Sequence, residues 1–244
     1  MEEWYSRTEL CMGASALEKL KASNVLVAGL GGVGSYAAEM ICRAGVGKMT
    51  IVDGDTIHPS NRNRQLLALK STEGLPKALL MEKRLKDINP GIAITAVNEY
   101  IRDERMIEIL REPFDYVVDA IDTLSPKVWL IFHSLKMNLK IVSSMGAGGR
   151  FDPLRIKVAD ISESYGCSLA RILRKKLHRL GVNEGFRVVW SPEDVDKTRV
   201  KEIAGERNKA SVVGTISYMP AAFGLICASV VIRDLAGITI GPEE

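Results

Sequence analysis

Residues 24–34 read Asn-Val-Leu-Val-Ala-Gly-Leu-Gly-Gly-Val-Gly, and this stretch decides the fold. Its apolar first half, Asn24–Gly29, predicts a buried strand, and Gly31–Ala44 predicts a helix whose first turn holds small residues. Glycines in a G-x-G-x-x-G pattern allow a tight turn, a close approach of backbone to phosphate, and close strand–helix packing. The glycines that form this turn are Gly29, Gly31, Gly32 and Gly34. The stretch therefore predicts a nucleotide-binding turn, and by itself it leaves NAD, FAD and ATP open.

The same alternation of apolar strands and helical stretches continues to residue 144. Further strands are predicted at Lys48–Asp53, Ala93–Val97, Phe114–Asp119 and Lys140–Ser144. Parallel neighbours need crossover helices, so the order predicts an α/β, Rossmann-like fold with a mostly parallel central sheet flanked by helices. After Gly146 the regular alternation of strands and helices stops, and we expect a C-terminal extension that completes the sheet and the dimer interface.

This extension is predicted to contain two short strands and two helices. The strands are Arg155–Ala159 and Arg187–Trp190, and the helices are Leu169–Leu180 and Tyr218–Leu235. The intervening residues 191–209 are polar and without period, which predicts a mobile loop.

Bulk composition places the chain among globular proteins. It has 244 residues, 46% of them hydrophobic and 26% charged, which fits a single domain over residues 1–244. The four cysteines include no C-x-x-C pair, so we expect no zinc and no disulfide framework. We expect a cytoplasmic protein, since the start has no cationic segment followed by an apolar one. Residues 210–232 carry no charge but contain Gly, Pro and Ser, which favours a core or interface helix over membrane contact.

Charged residues after the second and fourth strands favour ATP over a dinucleotide. Asp53 ends the second strand, where an acid binds ribose hydroxyls. Arg64 and Lys77 follow, and such fixed cations suit a triphosphate better than a pyrophosphate that backbone amides already serve. Asp119 and Asp122 close the fourth strand at the same sheet edge, where a carboxylate can hold Mg²⁺ together with phosphate oxygens.

The motifs G-x-G-G-x-G, D-x-D, S-N-x-x-R-Q, G-x-P-K and D-x-x-D follow one another in this order. Over residues 5–150 they resemble the HesA/MoeB/ThiF superfamily of carboxylate-adenylating enzymes. The resemblance implies that Asp53 binds ribose, that Arg64 and Lys77 bind the phosphates, and that Asp122 binds magnesium. The remaining members of the implied ATP site are Asp55, Asn61, Gln65 and Asp119.

Arg7 resembles the arginine that members of this superfamily lend to the ATP of the neighbouring subunit. The resemblance therefore implies a homodimer and adds Arg7 to the catalytic residues Arg64, Lys77 and Asp122.

A second resemblance covers the rest of the chain. Ser144–Pro153 looks like the G-A-G-G-x-x-D-P signature of tRNA threonylcarbamoyladenosine dehydratases, and Arg7–Leu10, Leu169–Leu180 and Arg207–Ser211 are also similar to that family. The family implies ATP and Mg²⁺ as cofactors and modified tRNA as substrate, which it cyclises through a carboxylate adenylate with release of AMP and pyrophosphate. It leaves open whether a monovalent cation or accessory sulfur-transfer or electron-donor proteins take part.

The basic helix predicted after Cys167 is the candidate tRNA surface. Residues 166–209 carry eleven Lys or Arg against six Asp or Glu, and such an excess suits an anionic partner. Four cations fall on roughly one helix face: Arg171, Arg174, Lys175 and His178. A solvated amphipathic face is the competing interpretation. Cys167 could serve as a thiol nucleophile at the helix start, or be incidental.

Three other functions are compatible with parts of this pattern. Adenylation of the C-terminal carboxylate of a sulfur-carrier or ubiquitin-like protein is disfavoured, because members with that activity usually carry two zinc-binding C-x-x-C pairs. An NAD-dependent oxidoreductase is disfavoured by Arg64, Lys77 and the paired acids. A protein that binds ATP without turnover remains the non-enzymatic alternative.

Overall fold

The central sheet is built outward from the apolar run that precedes the glycine turn. The computed structural model describes residues 3–202 and 211–239. Within them, the strands are β1 (Asn24–Ala28), β2 (Lys48–Val52), β3 (Ala93–Val97), β4 (Tyr116–Asp119), β5 (Ile141–Ser144), β6 (Lys157–Asp160), β7 (Arg187–Trp190), β8 (Val200–Glu202) and β9 (Ser211–Val213). The α-helices are α1 (Ser6–Met12), α2 (Ala14–Ala22), α3 (Gly34–Arg43), α4 (Lys77–Ile88), α5 (Asp103–Leu110), α6 (Leu124–Lys136), α7 (Ser168–His178) and α8 (Tyr218–Ala236).

Seven strands form one sheet in the order β3-β2-β1-β4-β5-β7-β6. All neighbours are parallel except β6 and β7, which pair antiparallel. The register aligns Ala28 at the end of β1 with Val52 on β2 and with Asp119 on β4. The predicted Rossmann-like fold is therefore confirmed, and the C-terminal extension completes the sheet with β7 and β6.

Helices cover both faces of this sheet. One face packs against α2, α3, α4 and α8, and the other against α5, α6 and α7. The central strands are buried on both faces, as parallel strands covered by crossover helices must be. That burial explains why the sequence shows continuous apolar runs instead of alternation.

The uncharged C-terminal segment forms α8, which packs against α3 and α2. By length and composition α8 could cross a membrane, yet half of its apolar 18-residue window is buried inside the protein. Pro220 lies in its first turn, where the missing N–H costs nothing, and Gly237 ends it in a left-handed conformation. We interpret α8 as a core helix in this structure.

Two predictions about elements were wrong in detail. The helix after β1 begins at Gly34 instead of Gly31, because residues 29–33 form the loop itself. The predicted loop 191–209 also contains regular structure over residues 197–202, with a 3-10 turn at Lys197–Arg199 followed by β8. Ser191 is buried, and β8 pairs antiparallel with β9 in a separate two-stranded sheet. The remainder of the predicted mobile loop, residues 203–209, lies outside the described residues, as do residues 207–210 of the terminal block.

Candidate nucleotide site

The candidate site lies where the chain order of the sheet reverses. β1 and β4 are neighbours, and their crossovers leave to opposite sides, through β2 and through β5. At such a switch point the loops after the two strands part and leave a crevice at their carboxyl ends. The loop after β1 is the glycine turn, and the loop after β4 carries Asp122. The sheet topology alone therefore places both predicted motifs on one crevice.

The glycine turn is packed directly on the loop that follows β4. Gly29 has a φ of +90°, and a Cβ atom there would lie 2.7 Å from the carbonyl oxygen of Ala120. A Cβ atom at Gly34 would lie 1.7 Å from the carbonyl oxygen of Gly29. Contacts of this kind exclude any side chain, so the turn can form only with glycine at both positions. The result is the N-terminus of α3 aimed at the crevice, with amides that suit an anion.

Asp53 joins the second strand to the glycine turn. Its carboxylate accepts hydrogen bonds from the backbone N–H of Leu30 at 2.7 Å and of Asp55 at 2.8 Å. A carboxylate has about four acceptor positions, so two remain for ribose hydroxyls. Burial raises the pKa of Asp53, while the Lys77 ammonium and the two backbone N–H groups act in the opposite direction.

The raised pKa of Asp53 predicts a pH-dependent affinity for ATP. The ionised carboxylate is the form that accepts ribose hydroxyls, so affinity should be constant above the raised pKa and fall as pH drops through it. Stability has the opposite sign, because a folded-state pKa above the unfolded one favours the folded state as the group protonates. Calorimetric titration with ATP over a pH series measures the first effect. Asp53→Asn should bind more weakly at high pH and lack that additional fall; since both proteins meet the same ligand, titration of ATP itself cancels.

Lys77 is held inside the crevice by a carboxylate. It begins α4, its side chain is only 5% exposed, and its Nζ lies 3.0 Å from Oδ2 of Asp55. The phenol of Tyr100 also donates to Asp55. An ammonium has three donors, so contact with Asp55 is compatible with contact to a phosphate. Lys77 and Asp55 are thus placed together, and the half-exposed Asp55 lies at the opening of the crevice.

Residues 58–65 form the other wall. Asn61 accepts from the backbone N–H of His58 at 3.0 Å, and its carbonyl oxygen accepts from the N–H groups of Arg64 and Gln65. The Arg64 guanidinium donates to the carbonyl oxygen of Ser60 at 2.9 Å. Burial lowers the pKa of Arg64, and the nearby Asp122 opposes this. Arg64 and Asp122 therefore face the same space, one from each side of the switch point.

Gln65 supplies direct evidence that this wall fits a polar ligand. Its Oε1 is buried and has no hydrogen-bond donor among the described residues. A buried acceptor without a donor is costly, and such groups are commonly satisfied by a ligand or a water. Gln65 Nε2 lies 3.7 Å from the position that a Cβ atom would take at Gly31, so the side chain borders the glycine turn. An amine or ribose hydroxyl of a nucleotide at this point would satisfy Oε1.

The structure corrects the role expected of Asp119. Its side chain has no exposed surface. Its carboxylate accepts hydrogen bonds from Lys127 Nζ at 2.7 Å and from Ser143 Oγ at 2.6 Å. It therefore lies behind the crevice and has no exposed side-chain surface to offer a ligand. Asp122, three residues further on, is exposed. Sequence reasoning missed Lys127; the available signal was a lysine on the first turn of a helix, directly before the apolar run 128–132.

The other candidate residues lie at a distance from this crevice. Arg7 is exposed on α1, and within the described chain no hydrogen bond or ion pair joins it to the nucleotide site. Cys167 is buried at the start of α7, which disfavours a role as a nucleophile. Cys42 and Cys227 are buried in the core, and burial raises the pKa of each thiol to about 12.

The basic helix α7 is only partly available to a partner. Leu173 and Leu177 are buried, as expected of its inner face. Arg174 donates to the carbonyl oxygen of Ser164 at 2.5 Å, and His178 Nδ1 lies 2.6 Å from Oδ1 of Asn183. These two side chains of the predicted set hydrogen-bond to neighbouring loops, whereas Arg171 and Lys175 make no such contact within the described part of the chain and are exposed.

The signature loop after β5 is covered by the β8–β9 hairpin. Arg150 is buried and donates to the carbonyl oxygen of Ser191 at 3.1 Å. Arg199 stacks on the ring of Phe151 with 4.7 Å between guanidinium and ring centre. The Asn63 amide donates to the carbonyl oxygen of Thr215 at 2.9 Å, which ties the hairpin side to the Arg64 wall. The loop after β5 and the nucleotide crevice therefore form one continuous surface.

Within the described ranges, no three His, Cys, Asp or Glu side chains cluster as a metal site. A magnesium ion that is bound through one carboxylate and the phosphates of ATP needs no such cluster. The donor set Asp122 with a triphosphate fits that mode.

Comparison with known proteins finds relatives over nearly the whole chain. The ThiF family model matches residues 5–244. The chain is similar to tRNA threonylcarbamoyladenosine dehydratase of Bacillus subtilis, with 39% identity over 95% of this chain and 94% of the relative. It is also similar to the Escherichia coli enzyme of the same name, with 31% identity over 96% of this chain and 95% of that enzyme. The crystal structure of that Escherichia coli dehydratase in complex with ATP superposes with a TM-score of 0.88 over 97% of this chain and 96% of that chain, at 30% identity.

Proposed function

We propose, because the chain belongs to the ThiF family, that it is an enzyme that uses ATP to cyclise N6-threonylcarbamoyladenosine in tRNA. The observation that carries the proposal is the end-to-end match with the Bacillus subtilis dehydratase, which covers 95% of this chain and 94% of that one. A carrier-protein adenylating function has weaker support, since matches to a sulfur carrier protein adenylyltransferase cover 46% of this chain.

In the proposed complex, groups that line the crevice are assigned to the phosphates, the ribose and a polar group of the nucleoside. The amides of the glycine turn and the N-terminus of α3 receive phosphate oxygens. Asp53 accepts ribose hydroxyls, and Gln65 Oε1 accepts a donor of the nucleoside. Lys77 and Arg64 neutralise phosphate charge from opposite walls. Asp122 would hold Mg²⁺ against the phosphate oxygens, where the ion adds positive charge to the group that must accept electrons.

The chemistry needs no nucleophile from the protein. An oxygen of the threonyl carboxylate attacks the α-phosphorus of ATP, and the bond to pyrophosphate breaks. The ureido nitrogen of the same nucleoside then attacks the acyl carbon and loses its proton, and AMP leaves with the carboxylate oxygen. Attack within one molecule gains effective molarity, which explains why no reactive thiol at the site is required. The sum removes the elements of one water from the nucleoside.

The same balance limits which partners are required. It moves no sulfur and transfers no electrons, so it needs no sulfur-transfer or electron-donor protein. It also contains no step that requires a monovalent cation, and exchange of K⁺ for a large organic cation in the assay tests that point. A tRNA substrate and reduced thiols are consistent with a cytoplasmic location, which we include in the proposal.

We place the tRNA on the surface formed by α7 and the signature loop. α7 begins at the sheet edge that carries the crevice, because Gly166, two residues before it, packs on the backbone of Pro192 just after β7. Arg171 and Lys175 are exposed on this helix and suit phosphate contacts. Arg174 and His178 already hydrogen-bond to neighbouring loops, so we assign them to holding α7 in place and not to phosphate contacts.

The decisive experiment follows the modified nucleoside. Purified protein is incubated with Mg-ATP and tRNA that carries N6-threonylcarbamoyladenosine, and the nucleosides are released by mild digestion and weighed by mass spectrometry. We expect loss of one water that depends on ATP and is abolished by Asp122→Asn and by Arg64→Ala. An unchanged nucleoside from protein that binds Mg-ATP would refute the tRNA substrate, and a carrier protein's carboxylate would be tested next.

We also propose a homodimer in which Arg7 acts on the partner's site. α1 has no buried residue, and Leu10 on it is 89% exposed. α1 packs on the core through the partly buried Met12, but a short helix gains little stability by itself, so a second subunit is the expected cover for its exposed side. This arrangement would carry Arg7, remote from the crevice of its own chain, to the crevice of the other.

Mixing two inactive variants tests this arrangement. Arg7→Ala and Asp122→Asn damage different sites of a mixed dimer if Arg7 acts across the interface, so one site stays intact. After dissociation and reassociation we expect about one quarter of wild-type activity, from the statistics of a two-fold dimer. Arg64→Ala mixed with Asp122→Asn is the matched control, since both lesions lie in the same chain's site, and it should recover nothing. No recovery in either mixture would argue that Arg7 acts in its own chain, and an Arg7→Ala protein with wild-type activity would show that Arg7 has no part in the reaction.

A further inference from the structure

The most deeply buried ion pair of the nucleotide half lies directly behind the crevice. Asp119 is the last residue of β4, and Lys127 lies on the first turn of α6. Both side chains have 0% exposure, and their charged atoms are 2.7 Å apart. Ser143 on the neighbouring strand β5 adds a hydrogen bond to the same carboxylate oxygen. Strand β4, strand β5 and helix α6 are thus fastened at one point.

The pair also hydrogen-bonds the backbone of the turn that follows β4. Lys127 Nζ donates to the carbonyl oxygen of Ile121 at 3.0 Å. The other oxygen of Asp119 accepts from the N–H of Ile121 at 3.1 Å. Both backbone groups of Ile121 are therefore held by the ion pair, and residue 122 follows immediately. The path of the chain into Asp122 is set by these two bonds.

The same turn supports the glycine loop. The N–H of Ala120 donates to the carbonyl oxygen of Ala28 at 2.9 Å. The carbonyl oxygen of Ala120 lies 2.7 Å from the position that a Cβ atom would take at Gly29. A shift of the turn would therefore move Asp122 relative to the phosphate-binding amides, or separate the two loops.

A fully buried ion pair is not required for stability. Removing two charges from water is costly, and neutral groups of similar volume often serve a core as well. What a pair with fixed geometry can add is a defined position for the backbone that it holds. A metal site depends on such definition, because its ligands must be placed within about 0.5 Å.

We propose that Lys127 and Asp119 are positioning residues that fix the Ala120–Asp122 turn so that Asp122 meets the magnesium ion of bound Mg-ATP. The inference rests on the proposed function for the presence of Mg-ATP, and on the hydrogen bonds above for the rest. Lys127 and Asp119 act through Asp122 and contact no ligand themselves.

The test compares two neutralised ion pairs. Asp119→Asn/Lys127→Met removes both charges and nearly preserves volume. Arg187→Met/Asp234→Asn does the same to the ion pair at the opposite, amino edge of the sheet. ATP affinity is measured by calorimetry with and without Mg²⁺, and thermal unfolding is followed in parallel. We expect the ratio of ATP affinity with Mg²⁺ to ATP affinity without Mg²⁺ to fall about tenfold in the first variant only, as for residues that orient metal ligands. The ATP affinity without Mg²⁺ should be unchanged.

Equal Mg²⁺ dependence in the first variant, the control and the wild type would overturn the proposal. If the first variant does not fold, Ser143→Ala is measured instead; it removes one bond to Asp119 and keeps both charges, and it should shift the Mg²⁺ dependence in the same direction by less. No shift in Ser143→Ala would then count against the proposal. Wild-type protein that binds Mg-ATP but forms no cyclic nucleoside refutes the proposed function alone, because the readout here is binding.

Discussion

Asp122→Asn is expected to lower the rate of pyrophosphate release by about 10²–10³-fold, the loss typical of removing one charge-stabilising group from a reaction centre. Asparagine keeps the size of the side chain and one oxygen, but it removes the negative charge that we assign to magnesium binding. The change also leaves Arg64 without the carboxylate that offsets its burial. Affinity for ATP in the absence of Mg²⁺ should therefore stay the same or rise, while the dependence on Mg²⁺ weakens.

The measurement is pyrophosphate release at saturating ATP over a magnesium titration, with the tRNA substrate present. Asp87→Asn is the matched control, since it makes the same chemical change on an exposed carboxylate of α4. A rate for Asp122→Asn close to that of Asp87→Asn would show that Asp122 does not hold the metal. A large loss that excess Mg²⁺ partly restores is the result that the proposed role requires.

The parts of the fold that could be predicted are those with local signals. β1, β3 and β7 follow from short apolar runs, and the crossovers follow from the helices between the parallel strands. The glycine turn has a local signal as well, because its glycine pattern lies within residues 29–34, although its packing on Ala120 joins distant parts of the chain. Bounds were off by one to three residues where the chain changes direction, as at Gly34 and at Tyr116. Helix and strand ends depend on capping and packing that periodicity does not contain.

The parts that could not be predicted depend on contacts distant in sequence. Val200–Glu202 and Ser211–Val213 form strands of three residues each, too short for a periodic signal, and each is stabilised by the other. The tie from Asn63 to Thr215 spans 152 positions. Such contacts form only when the sheet has assembled, so no local sequence pattern predicts them.

Asp119 shows how a correct motif can hide two different roles. The pattern D-x-x-D places both acids at the carboxyl edge, and from the sequence they look equivalent. In the fold, Asp119 ends the strand and points into the packing between β5 and α6, while Asp122 lies beyond the turn in the crevice. Burial separates the two acids, and burial of a single side chain depends on the tertiary packing around it.

Gly34→Ala should abolish ATP binding and destabilise the protein by about 1–3 kcal/mol, the usual cost of forcing extra atoms into a packed site. The added Cβ atom would lie 1.7 Å from the carbonyl oxygen of Gly29 and 3.0 Å from the Cβ atom of Ala120. Backbone cannot yield as a flexible side chain does, so the start of α3 must move away from β1. The amides that we assign to phosphate binding would move with it.

Gly31→Ala separates packing from ligand binding within the same loop. A Cβ atom at Gly31 would meet only the Gln65 side chain, at 3.7 Å. Stability should therefore stay within about 0.5 kcal/mol of the wild type, as for changes that disturb no packing. ATP affinity should still fall, because the methyl group takes space where we place the phosphate close to backbone. Thermal unfolding and calorimetric ATP titration of both variants measure the two effects. If Gly31→Ala bound ATP as the wild type does, the phosphates would not lie on this face of the turn.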